Sequence, residues 1–221
     1  NMTEKTTSEL FRTLNCLVDR GYVAKDDVSG KYQLTLKLFK LAHRHSPLDH
    51  LLQAAEAPMQ ELAKQLRESC HLSVLNNNRL MVLSQALSPS TVRISMSVGA
   101  TFSPITTVSG RMLLSALSPS EVAAVVETNP DYLEMSEAER EQFYERLQLV
   151  RNTGISKASD ESYIGLQDVA VLIGSVQAGQ IAAIAVTRLT AAKKARSTAR
   201  IEEALIDCAR QINERAGLSS T

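Results

Sequence analysis

The sequence predicts an α+β protein in which a helix and a β-hairpin precede a larger domain built on an antiparallel sheet. Three observations support this class. Apolar residues recur at helical spacing near the start of the chain. Short segments with strand-like alternation begin at residue 70 and return after residue 154, and helical segments separate these two groups. Segregated groups of strands and helices are typical of the α+β class.

The first helix is predicted by its start, its apolar stripe and its end. Thr6 and Glu9 have the S/T-x-x-E spacing of a capping box, in which two free backbone donors are satisfied reciprocally. Gly21 is placed as the residue that follows a helix C-terminus. The apolar stripe between them consists of Leu10, Leu14, Leu17 and Val18.

Two short strands are predicted next, Tyr22-Val23-Ala24 and Lys31-Tyr32-Gln33-Leu34, joined across Asp26 to Gly30. A helix followed by such a hairpin is the second half of a winged helix-turn-helix. Its polar side could lie in a DNA major groove, with an arginine on guanine or phosphate and a wing lysine on phosphate. The candidate DNA-binding residues are Thr7, Ser8, Arg12, Asn15 and Lys31. An ordinary surface helix with a hairpin behind it is the competing interpretation.

Two helices are predicted before the sheet of the larger domain. The first is apolar around much of its circumference, through Leu34, Leu36, Leu38, Phe39 and Leu41. Such a helix must be covered on several sides. We expect a second copy of the chain to cover it, because a winged helix that reads two half-sites needs a two-fold partner. The next helix opens at Ser46-Pro47 and runs to about Arg67.

The rest of the chain follows as strands, helices and strands. An antiparallel meander is predicted from the segments CHLSVLN (70–76), RLMVLSQAL (79–87) and TVRISMSV (91–98). Helices are predicted over residues 109–117, 120–127 and 136–152, since Ser118-Pro119-Ser120-Glu121 and Met135-Ser136-Glu137 are typical helix starts. The last elements are strands at 154–157, 168–176 and 180–187 and a helix that ends near Ala216.

Composition narrows the classes of protein. The 221 residues suffice for one small and one larger domain, and 44% are hydrophobic while 4% are aromatic, which predicts aliphatic cores. A formal net charge of zero argues against nonspecific coating of nucleic acid. We find no run of about 18 apolar residues that would predict a membrane span. Cys16, Cys70 and Cys208 are far apart and odd in number, which fits a reducing cytoplasm better than a disulfide framework.

Other clusters favour ordinary structural roles. His43, His45 and His50 are expected on the surface, since His43 and His45 point in different directions on a helix. Cys70-His71 opens a strand whose neighbours face opposite sides, which argues against a nucleophile pair. The basic run is expected to be solvated; it consists of Lys193, Lys194, Arg196 and Arg200. Without a nucleophile, base and orienter spaced to act together, the sequence predicts no enzyme, no metal and no cofactor.

The segment from Phe102 to Arg111 is the candidate ligand site. It places several hydroxyl groups just before a helix, where free backbone N–H groups and the helix dipole favour a bound carboxylate. A small acid is therefore one interpretation. The other is that these hydroxyl groups only cap the helix.

Several motifs in order resemble those of the IclR family of bacterial transcription regulators. Lys31-Tyr32-Gln33-Leu34 is similar to its "RYRL" wing strand, and LTLKLFKLAHRH to its linker helix. VGATFSPITTVSGRMLLSAL resembles its "VG…PL…ATALGKALLA" segment without a gap. GISKASDESYIGLQDVAVLI resembles "GYAVDDEEYEPGVRCVAAPV", and IAAIAVTRL resembles a strand close to the C-terminus. The resemblance covers nearly the whole chain through the order and spacing of these motifs.

The resemblance implies a GAF-like sensor domain behind the winged helix. We therefore expect a partial DNA-binding domain at residues 1–34, a linker helix at 35–46 and an effector-binding domain at 47–221. The family's first helices would precede Asn1, so we expect the start of the DNA-binding domain to be missing. The resemblance, together with the hydroxyl-rich loop, places effector contacts at Ile94, Phe102, Thr107, Val108, Ser109, Ala158, Leu166, Asp168, Ala185 and Thr187.

Two positions depart from the family pattern. Ala158-Ser159 replaces a frequent Asp-Asp pair, and Asp168 replaces a frequent Cys. Asp168 would require a hydroxyl or cationic donor from the ligand, or a Lys, Arg or backbone donor from the protein, and both alternatives are open.

We expect a cytoplasmic regulator that binds a double-stranded DNA operator and a small organic or aromatic acid, as a dimer or a dimer of dimers without membrane association. Binding of the acid would shift the placement of two DNA-reading heads through the linker helix. Two competing functions are a ligand-binding module that acts through protein partners, and a small-molecule enzyme.

Overall fold

The computed structural model describes residues 6–42, 47–161, 163–190 and 197–218. The chain divides into two compact units, Asn1–Asp49 and His50–Thr221. The first unit contains α1 (Thr7–Asp19), β1 (Val23–Lys25), β2 (Tyr32–Leu34) and α2 (Leu36–Ala42).

Both ends of α1 form as the sequence predicts. The backbone N–H of Thr6 donates to Glu9 Oε2 over 2.8 Å, and the Glu9 N–H donates to Thr6 Oγ1 over 3.4 Å, which completes the capping box. At the other end the Tyr22 N–H donates to the Leu17 carbonyl and the Gly21 N–H to the Val18 carbonyl. This pair of bonds is the Schellman motif, and it needs the left-handed φ of 70° that Gly21 adopts.

The hairpin pairs β1 and β2 antiparallel, with Val23 opposite Leu34. Asp26 Oδ1 orders the turn by accepting bonds from the backbone N–H groups of Val28 and Ser29. Val23 is the only buried residue among residues 6–41, whose burial the structure describes. Local hydrogen bonds, more than a hydrophobic core, therefore define this unit.

The remaining elements follow the predicted order of helix, strands, helices, strands and helix. They are α3 (Pro47–Leu66), β3 (Cys70–Asn76), β4 (Arg79–Ala86), β5 (Thr101–Phe102), α4 (Val108–Ala116), α5 (Pro119–Val126), α6 (Pro130–Leu133), α7 (Glu137–Thr153), β6 (Ile155–Ser159), β7 (Leu166–Ser175), β8 (Gln180–Leu189) and α8 (Thr198–Ala216). Ser118 and Ser136 are the N-caps of α5 and α7, in the segments predicted as helix starts, and they form capping boxes with Glu121 and Glu139.

Six strands form one antiparallel sheet in the order β5-β4-β3-β8-β7-β6. This arrangement confirms the predicted α+β class. β7 and β8 form the longest pair, which runs from Leu166 opposite Leu189 to Ser175 opposite Gln180.

The two faces of the sheet have different covers because alternate side chains point to opposite sides. Ala170, Ala183 and Ala185 share one face and form a core cluster with α4 and α7. These small residues let α4 lie close to the strands. On the other face, the Cys70 thiol lies 3.4 Å from the carbonyl of Met59 in α3, and α8 contacts β7 and β8. His71, the neighbour of Cys70, therefore points to the α4 side.

Residues 91–98 are not a strand, so that prediction is wrong. The sheet instead continues through β5, which pairs with β4 only at Leu80 and Met81. In residues 91–98 the half-buried side chains are Ile94 and Met96, and both line a cavity rather than a strand partner. Alternation in this segment reflects burial of one side against the cavity. The short helix α6 was also not predicted.

None of the helices in the described part of the chain is both long and apolar enough to cross a membrane.

Candidate ligand-binding site

A cavity of about 840 Å³ lies on the α4 face of the sheet in the second unit. Its walls come from the sheet, the start of α4, the extended segment at residues 94–97 and one side of α7. The volume suits a small organic molecule, since such pockets usually measure about 300–1,000 Å³.

Nine of the ten residues predicted to contact an effector line this cavity. They are Ile94, Phe102, Thr107, Val108, Ser109, Leu166, Asp168, Ala185 and Thr187. Ala158 is the exception. It lies opposite Asp168 in the β6–β7 register and packs against the core cluster under α4 instead of lining the cavity. Ile94 lines the cavity from an irregular segment and not from a strand as expected.

The hydroxyl-rich loop before α4 serves the fold as well as the cavity. Thr107 is the N-cap of α4: its hydroxyl accepts a 3.2 Å bond from the Gly110 N–H and donates a 2.9 Å bond to the Ser103 carbonyl. The capping interpretation is therefore confirmed for Thr107. Ser109, two residues after Thr107, also lines the cavity, and its hydroxyl lies near His71.

His71 and Ser109 form a neutral polar patch on the wall of the cavity. His71 Nε2 lies 3.5 Å from Ser109 Oγ, and both residues are buried. Burial lowers the pKa of His71 to about 4, because a charged imidazole loses its hydration there. The imidazole is therefore neutral near pH 7 and can donate or accept one hydrogen bond according to its tautomer.

Asp168 and Thr187 form a second polar patch, on β7 and β8. They are paired in the strand register, and Thr187 Oγ1 donates a 2.5 Å hydrogen bond to Asp168 Oδ1. The protein donor is thus a hydroxyl and not a Lys or Arg side chain. Burial raises the pKa of Asp168; the bond from Thr187 opposes this rise, the nearby Glu161 charge adds to it and the Arg111 charge opposes it.

An ion cluster that the sequence analysis missed also faces the cavity. Arg111 in α4 is only 3% exposed and holds Glu161 through two bonds, Nη1 to Oε1 over 2.8 Å and Nη2 to Oε2 over 2.5 Å. Arg146 in α7, which is 54% exposed, reaches Glu161 Oε1 over 2.6 Å. Two guanidinium groups therefore share one carboxylate, which balances one of their two positive charges.

A signal for Arg111 was present in the sequence. Arg111 is the single charged residue of the helix VSGRMLLSA, whose other members are apolar or small. An arginine in such a helix must be paired if it is buried. Its partner Glu161 is fifty residues away, and no local pattern pointed to that pairing.

Apolar side chains complete the cavity. Met96, Phe102, Ile105, Met135 and Phe143 contribute to its lining. The cavity thus combines apolar walls with a few fixed polar groups, which is the usual composition of a site for a small molecule.

The residues predicted to bind DNA lie in the first unit and are exposed. Thr7, Ser8, Arg12 and Asn15 are on α1, and Lys31 directly precedes β2. Ser8, Arg12 and Asn15 share one side of α1 because they are spaced by four and three residues.

The described part of the chain contains no group of three or more His, Cys, Asp or Glu side chains arranged to hold a metal ion. His50 is exposed, whereas His43 and His45 lie outside the described residues. Cys16, Cys70 and Cys208 are free thiols, and the latter two are buried. Arg200 is exposed on α8, and the rest of the predicted basic run, Lys193, Lys194 and Arg196, lies outside the described residues.

Residues 46–214 match the family described as "Bacterial transcriptional regulator IclR C-terminal". The HTH-type transcriptional regulator KdgR of Escherichia coli is 29% identical over 167 residues, which cover 74% of this chain. The matched region spans 63% of the length of KdgR.

Two solved structures share the fold across almost the whole chain. An IclR transcriptional regulator from a Silicibacter species has a TM-score of 0.80 at 23% identity, and the match covers 98% of this chain and 86% of that one. An IclR homologue from Microbacterium hydrocarbonoxydans, solved with 4-hydroxybenzoate, has a TM-score of 0.79 at 23% identity, with 97% and 87% covered.

Proposed function

Because this chain belongs to the IclR family of bacterial transcription regulators, we propose that it is an effector-responsive, DNA-binding transcription regulator and not an enzyme. We assign DNA reading to residues 1–34, coupling between the two functions to the linker at residues 35–46, which contains α2, and effector binding to residues 47–221. The cavity on the α4 face of the sheet carries this proposal, since it offers a ligand-sized volume with apolar walls and fixed polar groups.

The proposed effector is a small organic or aromatic acid. Its carboxylate would lie at the start of α4, where the Ser109 hydroxyl and neutral His71 supply polar contacts and the helix N-terminus favours negative charge. Its apolar body would contact Phe102, Ile105 and Phe143. The 4-hydroxybenzoate bound to the Microbacterium homologue has this chemistry.

The proposed DNA contacts lie on the polar side of α1 and on the wing. Arg12 would read a base or hold a phosphate from the major groove, beside Thr7, Ser8 and Asn15, and Lys31 would hold a phosphate from the wing. Their exposure is consistent with access to a duplex.

The proposed assembly is a homo-oligomer built on pairs of DNA-reading heads. Leu36, Leu38 and Leu41 are between 44% and 73% exposed along α2, and a second copy of this helix would cover them. Effector binding would then shift the relative placement of two heads by favouring the arrangement to which the effector binds more tightly.

A gel-shift titration with the gene's own upstream region tests this function. The protein should bind the specific fragment with an affinity that falls as salt rises. Arg12→Ala should weaken specific binding about 10- to 100-fold, the range for loss of a bidentate base contact. Arg200→Ala, which removes an exposed arginine of α8, is the matched control and should bind as the wild type does.

Addition of a bound acid should change the gel-shift midpoint of the wild-type protein. Absence of specific DNA binding under all salt conditions, or full affinity in the Arg12→Ala variant, would contradict the proposed role of α1.

A further inference from the structure

Asp168 has a hydrogen-bonding capacity that the fold does not use. Its Oδ1 accepts the bond from Thr187, and the carboxylate makes no other hydrogen bond and no ion pair within the described residues. Asp168 nevertheless faces the cavity and is partly buried. A carboxylate oxygen in such a place gains from any donor that the cavity contents can offer.

The arginine side chains that line the cavity are already paired with a carboxylate of the protein. Arg111 directs both terminal nitrogens to Glu161, and Arg146 binds the same carboxylate. Two guanidinium groups and three carboxylates, those of Glu139, Glu161 and Asp168, thus line the cavity, so its wall has no excess positive charge. A ligand carboxylate placed against Asp168 would be repelled by like charge, whereas a hydroxyl group would donate to it.

The two polar patches of the cavity are well separated. β8 lies between β3 and β7. Thr187, the register partner of Asp168, is two residues beyond Ala185, the register partner of His71. With about 4.8 Å between strands and about 3.4 Å per residue, the Cα atoms of His71 and Asp168 are roughly 12 Å apart. A molecule that contacts both patches must therefore carry its two polar groups at opposite ends.

We propose that Asp168 makes this protein selective for hydroxy acids whose hydroxyl group is distant from the carboxylate. The hydroxyl donates to Asp168 Oδ2, and the carboxylate lies at the start of α4 beside Ser109 and His71. This inference rests on the proposed function, since it takes the cavity as the effector site, and it adds a second recognition point and the class of molecule recognised.

Isothermal titration calorimetry of the whole chain with paired probes tests the selectivity. The pairs are 4-hydroxybenzoate against 4-methylbenzoate, and 5-hydroxypentanoate against pentanoate, and 2-hydroxybenzoate tests the position of the hydroxyl. At least one distal hydroxy acid should bind about 10-fold or more tighter than its partner, the effect expected of a hydrogen bond to a charged group. 2-Hydroxybenzoate should bind no more tightly than 4-methylbenzoate, because its hydroxyl is adjacent to its carboxylate.

Two variants separate recognition from a merely structural role. Asp168→Asn keeps the size of the side chain and removes its charge. The ratio of the affinity for a hydroxylated probe to that for its plain partner should therefore fall at least threefold. Asp207→Asn makes the same change at an exposed position of α8, outside the cavity, so it should retain the full ratio. Loss of the ratio in both variants would show that the change acts through the fold and would overturn the proposal.

The wild-type measurement stands even if a variant does not fold. Equal binding of hydroxylated and plain probes, or no binding of either distal hydroxy acid, overturns the inference. If plain acids bind and change the gel-shift midpoint, the regulator proposal survives while this inference fails. If Asp168-dependent selectivity is found but no probe alters DNA binding, the inference survives and the proposed response to an effector fails.

Discussion

His71 shows how much the environment of one residue depends on strand alternation. Its neighbour Cys70 points toward α3, where burial raises the pKa of the thiol to about 12. His71 points into the cavity face, where burial lowers the pKa of the imidazole to about 4. Both side chains are therefore neutral near pH 7.

The lowered pKa of His71 predicts a loss of stability in mild acid. The unfolded chain takes up a proton on this side chain near pH 6.5, while the folded chain resists it down to about pH 4. Stability linked to His71 is thus full above pH 6.5 and falls as the pH drops toward 4. Between pH 7.5 and pH 5 the contribution of His71 to the free energy of unfolding should fall by about 2 kcal/mol.

Urea unfolding of the wild type and of His71→Gln at both pH values measures this effect. The variant has no titrating group at this position, so its free energy of unfolding should change about 2 kcal/mol less over the same interval. Equal pH dependence in the two proteins would show that His71 remains protonatable in the folded state.

The cluster of Arg111, Glu161 and Arg146 allows a matched comparison of buried and exposed charge pairs. Glu161→Gln leaves the buried Arg111 without its counter-charge, and the free energy of unfolding should fall by about 2 kcal/mol or more. Arg146→Gln removes a pair whose arginine is 54% exposed, and the loss should stay under about 1 kcal/mol. Urea unfolding at neutral pH measures both. A larger loss for Arg146→Gln would reverse the assignment of Arg111 as the main partner.

At the scale of elements, the predictions that proved right depended on local bonds. Capping boxes fixed the starts of α1, α5 and α7, because their partners are three residues apart. The Arg111–Glu161 pair and the close approach of α4 to its preceding loop depend on tertiary packing, so the sequence could not supply them. Residues 91–98 were misassigned because alternation reports one-sided burial and does not identify what covers the buried side.

Gly110 in α4 should not tolerate alanine. In an ordinary helix interior, replacement of glycine by alanine raises the free energy of unfolding by about 1 kcal/mol. Here an added Cβ would overlap the backbone of Pro104 in the loop that lines the cavity, and the loop would have to move. We expect the free energy of unfolding to fall by about 1 to 3 kcal/mol, which is the range for overpacking.

Ser115→Ala in the same helix is the control, since the Ser115 hydroxyl bonds to Met112 within its own turn and the backbone carbonyl that accepts from Arg151 is kept. Its free energy of unfolding should change by less than about 0.5 kcal/mol in the same urea titration. A Gly110→Ala protein as stable as this control would mean that the backbone at Pro104 can move away with little loss of stability.

At the scale of the whole molecule, the two units differ in how they bury apolar surface. In the first unit Val23 is the only buried residue within the described stretch 6–41. In the second, the strand segment from Ala182 to Val186 is at most 2% exposed. Few buried contacts and many exposed backbone bonds mark regions that open easily. The amides of β8 should therefore exchange with solvent far more slowly than those of α1 and α2 in a dilute sample.

The proposed pairing of α2 makes this contrast depend on protein concentration. If a second copy covers Leu36, Leu38 and Leu41, protection of the α2 amides should rise as the dimer forms, because binding to the ordered state stabilises it by mass action. Hydrogen-exchange mass spectrometry across about a hundredfold range of concentration measures this, with β8 as the internal reference. Leu38→Glu should abolish the concentration dependence, whereas Lys40→Glu, which places the same charge at an exposed polar position of α2, should weaken it less. Strong protection of α2 that is equal at all concentrations and in both variants would show that the helix is covered within its own chain, and the proposed pairing would fail.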